Sequence, residues 1–274
     1  MNNPFENITI LDFTHVYSGP YCTMLFADLG ARVIKVERPG SGDDTRHYLP
    51  FKNNESGYFA YLNRNKESIT LDLKSPEGKE IALGLMKQSD IVIENFSAGT
   101  MEKLGLSYEE ARKVHPDIIY ASISGFGQTG PLCHKAAYDN IAQAMSGLLR
   151  VTGYPDQPPV KVGVSIADAN AGIHAAFCLM AALYYHEHTG KGQYIDISMM
   201  ETTMSVLENF VIQYTLNGVV PERMGNEHSA SAPFDVYVTK DDYVAVATAS
   251  NRLFSRMQDA MGMDIMSDPR FAEN

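Results

Sequence analysis

The chain has 274 residues, with 22 basic against 33 acidic side chains and a formal net charge of −11. That balance repels polyanions and excludes a general nucleic-acid binder. Hydrophobic residues at 45% and charged residues at 20% exclude a mainly disordered chain and leave enough apolar material for a core without disulfides.

Residues 8–13 (ITILDF) read as a buried strand, and Pro20 to Leu29 as a short helix closed by Gly30. Residues 32–37 (RVIKVE) and 68–73 (SITLDL) read as further strands. Ser75-Pro76-Glu77 opens a helix, with Ser at the N-cap, Pro in the first turn and an acidic residue beside the dipole. Its Ile81, Ala82, Leu85 and Met86 fall on one face. Strands follow at 90–94 and 117–123. Residues 138–149, 169–188 and 199–216 read as helices, with a strand at 193–198. Residues 234–248 read as a hairpin turning at Lys240-Asp241-Asp242, and a last helix starts at 251.

Strands alternating with helices define an α/β fold: an open, Rossmann-like parallel sheet with helices on both faces. Such a sheet binds ligands at the carboxyl ends of its strands. The expected organisation is a large domain over 1–216, a glycine-containing linker over 217–232, and the start of a small α+β domain over 233–274, which reads as incomplete. Cys22, Cys133 and Cys178 lie far apart, no secretory leader is evident, and the longest apolar run, about 175–185, falls short of a bilayer span. A cytoplasmic protein without membrane contact is expected.

Several motifs carry chemistry only in the right context. Gly125-Phe126-Gly127-Gln128-Thr129-Gly130 fits a dinucleotide fingerprint, but Pro131 follows and no helix opens at the loop, so a loop near a site is expected instead. His186 and His188 are two apart and point different ways on a helix, and HExxH and GxSxG are absent, so neither a metal nor a serine hydrolase is expected. Ser18 sits at a strand end before Gly19-Pro20. Lys35 and Arg38, with Arg46 behind them, form either a solvated turn or a phosphate contact. Asp168 precedes a long apolar helix and reads either as its N-cap or as an ionised carboxylate available for covalent catalysis.

Leu11-Asp12-Phe13-Thr14, Ser18-Gly19-Pro20, Ala27-Asp28-Leu29-Gly30-Ala31 and the run from Val33 to Pro39 open a series of motifs. Glu94-Asn95-Phe96, Ser124-Gly125-Phe126-Gly127, Tyr138-Asp139, Thr189-Gly190-Lys191-Gly192-Gln193 and Gly225-Asn226 follow in order. In these motifs the chain resembles the class III CoA-transferases, the family of formyl-CoA transferase and carnitine CoA-transferase. The resemblance implies transfer of CoA from an acyl-CoA donor to a free carboxylic acid, through an aspartyl mixed anhydride and an aspartyl-CoA thioester on Asp168. Coenzyme A is then a co-substrate and no metal is required.

The same resemblance implies CoA contacts at Val16, Arg38, Leu71, Asn95, Phe96, Lys103 and Tyr138. It places Tyr17 at the acyl end and makes Gly225 and Asn226 part of a candidate lid. It also implies an interlocked homodimer for the full-length form. Formyl-CoA transferase has a lysine where this chain has Ala136, with Lys135 one residue earlier, and a glutamine at the place of Tyr17. The alternative within this fold is α-methylacyl-CoA racemase, which uses a histidine where this chain has Tyr138; a neutral tyrosine is a poor base at pH 7. The alternative outside enzymes is a CoA-binding fragment without turnover.

Overall fold

A computed structural model describes residues 3–271. In chain order the elements are β1 (Thr9–Asp12), α1 (Ser18–Asp28), β2 (Arg32–Glu37), β3 (Phe51–Lys52), β4 (Glu55–Ser56), α2 (Gly57–Asn63) and β5 (Lys66–Thr70). Then come α3 (Pro76–Met86), β6 (Ile91–Glu94), α4 (Thr100–Leu104), α5 (Tyr108–Val114), β7 (Ile119–Ser124), α6 (Asp139–Ser146) and α7 (Leu148–Val151). The remainder are α8 (Ile166–Thr189), β8 (Tyr194–Ser198), α9 (Met199–Met204), α10 (Asn209–Asn217), β9 (Phe234–Val238), β10 (Tyr243–Ala247) and α11 (Asn251–Met261).

The described chain divides into two units. One runs up to Ser146 and resumes over Gly163–Leu207; the other comprises Gly147–Val162 and residues from Glu208 on.

The first unit is built on a six-stranded sheet in the order β5-β2-β1-β6-β7-β8, all parallel. Successive strand residues serve opposite faces, as the period of two requires. Ile10, Ile91, Ile93, Ile119, Ala121 and Ile123 pack with α1 and α8 on one side. Leu11, Val92 and Tyr120 pack with Ala82 and Met86 of α3, Met101 of α4 and Ala111 of α5 on the other. The expected open parallel sheet with two covered faces is present. Numbered by strand alone the order is 3-2-1-4-5-6, which reverses direction between β1 and β6, the switch point where such sheets bind ligands.

Ser75 caps α3 as its sequence signals, its hydroxyl accepting from Gly78 N at 2.9 Å. Ala82 and Met86 are buried, whereas Ile81 is 47% exposed: the apolar stripe is narrower than its spacing implies. The expected strand at 68–73 is shifted to Lys66–Thr70, in parallel register with β2. Residues 138–149 do not form one helix, because Gly147 at φ 94° separates α6 from α7. Residues 199–216 also break, at Glu208, whose φ of 47° no helix accommodates.

Helix α8, at 24 residues, is longer than the apolar run of 175–185 indicated, and by length and composition it could cross a membrane. Ala167, Ala171, Ala175, Leu179 and Ala182 form its inner face and lie in the sheet's core. It is the central helix of this unit. Small side chains along that face allow close approach: a Cβ on Gly172 would lie 2.6 Å from the carbonyl oxygen of Ser18.

The second unit contains α7, α10, the antiparallel β9–β10 hairpin and α11. The hairpin forms as its sequence pattern requires, with Thr239 N donating to Asp242 O across the turn at 2.8 Å. Phe254 of α11 is buried, while Val238 and Leu216 are largely exposed.

Candidate active site

The site is built where β1 and β6 end. Asn95, just past β6, holds the loop that follows β1: its Oδ1 accepts from His15 N at 2.9 Å and its Nδ2 donates to His15 O at 2.8 Å. The same Nδ2 donates to the Ser18 hydroxyl at 3.3 Å. Between these anchors Val16 is forced to φ 67°, a conformation that costs a β-branched residue on the order of 1–3 kcal/mol. Asp43 accepts from Val16 N at 3.3 Å, so the strained residue is held from two sides.

A buried charge network lies under this loop. Lys35 pairs with Asp43 at 2.8 Å and donates to Thr14 O at 2.7 Å. Lys66 pairs with Asp12 at 3.2 Å. Burial alone would raise Asp12, but Lys66, Lys35 and the hydroxyls of Thr14 and Thr23 outweigh it and hold it below its ordinary value. Burial lowers Lys66 to about 8, against the pull of Asp12.

Of the three cations that the sequence offered for phosphate, two are therefore committed elsewhere. Lys35 is buried in the network, and Arg46 grips Glu37 through two 2.7 Å hydrogen bonds while stacking on Phe59 at 3.8 Å. Arg38 is exposed and pairs with Asp44 at the surface.

Two cavities adjoin at the switch point. The first, about 330 Å³, is lined by Val36, Arg38, Pro39, Leu71, Leu73 and Leu104, among others. The second, about 280 Å³, is lined by Val16, Tyr17, Ser18, Asn95, Ser124, Cys133, Lys135, Tyr138 and Asp168, among others. His15, Phe96 and Thr100 line both. The first is mostly apolar in surface, with Lys35, Glu37, Arg38, Asp43, Asp72 and Lys74 also on its lining. The second is evenly divided between polar and apolar surface and has Asp168 on its lining.

This places the sequence-derived residues. Arg38 and Leu71 meet in the first cavity; Val16, Tyr17, Asn95, Tyr138 and Asp168 meet in the second; Phe96 joins the two. Lys103 is exposed on α4 and lines neither, although Thr100 and Leu104 of that helix do. Gly225 and Asn226 belong to the second unit, where Gly225 N donates to Gly153 O at 2.9 Å and Asn226 Nδ2 to the Tyr154 hydroxyl at 3.0 Å. The glycine-rich loop after β7 does not open a helix, and the next one, α6, starts only at Asp139. Gly125 is needed for contact, since a Cβ there would lie 2.4 Å from Cβ of Ala137.

Asp168 lies in the first turn of α8 and is not its N-cap; Ser165 occupies that position. The cap function falls to Asp139, whose Oδ1 accepts from Ala167 N at 2.8 Å and from Asp168 N at 3.4 Å. Burial first, and then the charge of Asp139, raise Asp168 to about 7, against a hydrogen bond from Ser18 that lowers it. Tyr17 lines the same cavity as this carboxylate, and Tyr58 packs against Tyr17 with ring centroids 6.2 Å apart. Burial pushes both up to about 12, with Asp168 adding to the effect. Both therefore present O–H donors at neutral pH.

Ser18, Ser124 and Asp139 carried little sequence signal. Ser18 and Ser124 were marked by their places in matched motifs, and Asp139 as part of a matched pair, without a role for any of the three. Among the described residues, no group of three or more His, Cys, Asp or Glu side chains is placed to hold a metal ion.

A parallel sheet of this kind binds ligands at its switch point, where these two cavities lie. The profile of CoA-transferase family III matches residues 5–274, and the chain belongs to that family. It is 45% identical over 273 residues to the acetyl-CoA:oxalate CoA-transferase of Acetobacter aceti, covering 99% of this chain and 70% of that protein. It is 41% identical over 273 residues to the succinyl-CoA:glutarate CoA-transferase of Mus musculus, covering 99% of this chain and 63% of that protein. A crystal structure of a CAIB/BAIF family protein from Brucella suis superposes with a TM-score of 0.88 at 38% identity, covering all of this chain and 74% of that one.

Proposed function

We propose that this chain carries the CoA-binding and reactive half of a transferase that moves CoA from an acyl-CoA thioester to a free carboxylic acid, with Asp168 as the nucleophile. One observation carries this reading: Asp168 lines a cavity that shares His15, Phe96 and Thr100 with a mostly apolar one lined by Arg38 and Leu71. The nucleotide of CoA would occupy the mostly apolar cavity, with Leu71 and Phe96 against its apolar parts and Arg38 on phosphate. The pantetheine arm would pass His15 and Phe96, and the thioester would reach Asp168.

Four displacements complete the reaction. An Asp168 oxygen attacks the thioester carbonyl; a C–O bond forms, the C–S bond breaks, and CoA leaves as thiolate. The thiolate attacks the aspartyl carbonyl of the resulting anhydride, forming an aspartyl-CoA thioester and freeing the donor acid. The acceptor carboxylate attacks that thioester, releasing thiolate and making a second anhydride. The thiolate then takes the acceptor's acyl carbon, and Asp168 returns as a carboxylate. One thioester replaces another, so no external energy source is needed. Exclusion of water by the bound acyl-CoA would spare the anhydrides from hydrolysis.

The two relatives named above act on oxalate and glutarate, which supports a dicarboxylic acceptor. The hydroxyls of Tyr17 and Tyr58 are suited to receive its second carboxylate without neutralising it. Proton abstraction beside a thioester is less well supported, because the position used by the racemase base holds Tyr138, which is 76% exposed.

A homodimer is part of the proposal. Ile173, Phe177, Met180 and Tyr184 form an exposed apolar stripe on α8, and contiguous exposed apolar surface is a mark of an interaction site. A cytoplasmic location fits substrates of this kind. The test is acyl exchange: incubate the chain with acetyl-CoA or succinyl-CoA and a panel of acids, and separate the CoA esters formed. A new dicarboxyl-CoA ester, absent with Asp168→Asn, is the expected result; no ester with any acid contradicts the proposal.

A further inference from the structure

Two carboxylates adjoin the first turn of α8, and only one takes its backbone donors. The N–H groups of a helix's first turn are unpaired within the helix and stabilise an anion. Asp139, on a different helix, accepts from two of them, and its Oδ2 accepts from Gln143 Nε2 at 2.6 Å. It is 9% exposed. Asp168 stands on that very turn, yet its carboxylate is met by the hydroxyl of Ser18.

We propose that Asp139 is a positioning residue: it occupies the N-terminal donors of α8 in place of Asp168, and so keeps Asp168 a poorly stabilised, reactive anion whose discomfort ends when it is acylated. This rests on the reading of Asp168 as nucleophile. When the Asp168 oxygen bonds to the thioester carbon and CoA departs as thiolate, the aspartyl group loses its charge. The negative charge of Asp139 opposes the carboxylate but not the neutral anhydride or thioester that follows. Burial acts in the same direction. Ser18 and Tyr17 at the start of α1 and Tyr58 of α2 act on Asp168 through neutral hydroxyls, and His15 of the loop after β1 with Lys135 and Tyr138 of the loop before α6 line the same cavity. An Asp168 that served as its own helix cap would be comfortable and slow. The capping carboxylate from α6 separates stability of the turn from reactivity of the nucleophile.

Asp139→Asn keeps the shape and one acceptor oxygen while removing the charge. The acid limb of kcat/KM against pH should move down by about one pH unit, and single-turnover acylation of Asp168 should slow about tenfold, while hydroxylamine still traps Asp168. An acid limb and acylation rate equal to wild type would overturn the inference and leave the nucleophile intact. Absence of trapping at Asp168 in wild type would instead remove the reading on which it rests. Should Asp139→Asn fail to fold, carboxylate ¹³C NMR of the unaltered chain, with Asp168→Asn for assignment, decides the matter. Asp168 titrating well above the usual carboxylate range is expected, and titration near 4 would overturn it.

Discussion

The carboxamide of Asn95 binds both the N–H and the C=O of His15, 80 residues earlier in the chain. It ties the loop after β1 to the loop after β6 across the point where the sheet reverses its winding. One side chain thus sets the groove's waist, and it also reaches Ser18, the partner of Asp168. Asn95 was expected to contact CoA; its geometry first makes it a brace for residues that line the groove. Asn95→Ala should destabilise the chain by about 1–3 kcal/mol and raise KM for acyl-CoA. Asn95→Asp keeps the acceptor for His15 N but sets its second oxygen against His15 O, so it should recover none of the stability at neutral pH. Denaturant unfolding of the two variants checks this.

Arg38 and Arg46 should separate cleanly. Arg38→Ala should raise KM for acyl-CoA about tenfold, equivalent to about 1.4 kcal/mol, with kcat little changed. The loss should shrink at high salt, where an exposed phosphate contact is screened. Arg46→Ala leaves Glu37 without its bidentate partner and should lower Tm instead. Steady-state kinetics at two ionic strengths, with thermal melts, distinguish the two.

Gly172→Ala tests the crossing of α8 over the start of α1. The added Cβ would meet Ser18 O at 2.6 Å, a backbone atom that can yield only if the helices part. A loss of about 1–3 kcal/mol is expected from overpacking, together with reduced turnover, because Ser18 and Asp168 are displaced relative to each other. Unfolding and activity assays on purified variant measure both. Gly84→Ala, where nothing lies within 4 Å, is the control and should stabilise or leave stability unchanged.

The strands were readable because both faces of the parallel sheet are buried, which demands near-continuous apolar runs: 32–37 is recovered residue for residue as β2. The short helices α2, α4 and α5 escaped, since five to seven residues give too little periodicity. The breaks at Gly147 and Glu208 were hidden because apolar residues continue through them. In the site, Asp168 was marked by its helix, but that another carboxylate serves the turn depended on Asp139, 29 residues away. Likewise Lys35, Arg38 and Arg46 look alike as a cluster; their different partners emerge only when β2, β5 and the turn after β2 come together.

Stability should depend on pH in a way that Asp168→Asn reveals. Burial and Asp139 raise Asp168 from 3.8 to about 7 in the folded chain, so folding favours its protonated form. The resulting stabilisation is complete below about pH 4 and is lost as pH rises through about 7. Glu94, which burial also raises to about 7, follows the same course in both proteins and cancels in the comparison. Asp168→Asn should therefore be the more stable of the two at pH 8, by about 2–4 kcal/mol, with the gap closing near pH 4. Thermal unfolding across that range measures it.

The most direct test of covalent CoA transfer is peptide mass spectrometry after incubation with a panel of acyl-CoA thioesters and hydroxylamine, run on wild type and Asp168→Asn together. A hydroxamate on the peptide bearing Asp168, formed only in wild type and only with a thioester present, is the expected result. Measurable acyl-CoA binding with no modification at Asp168 for any donor would contradict the account.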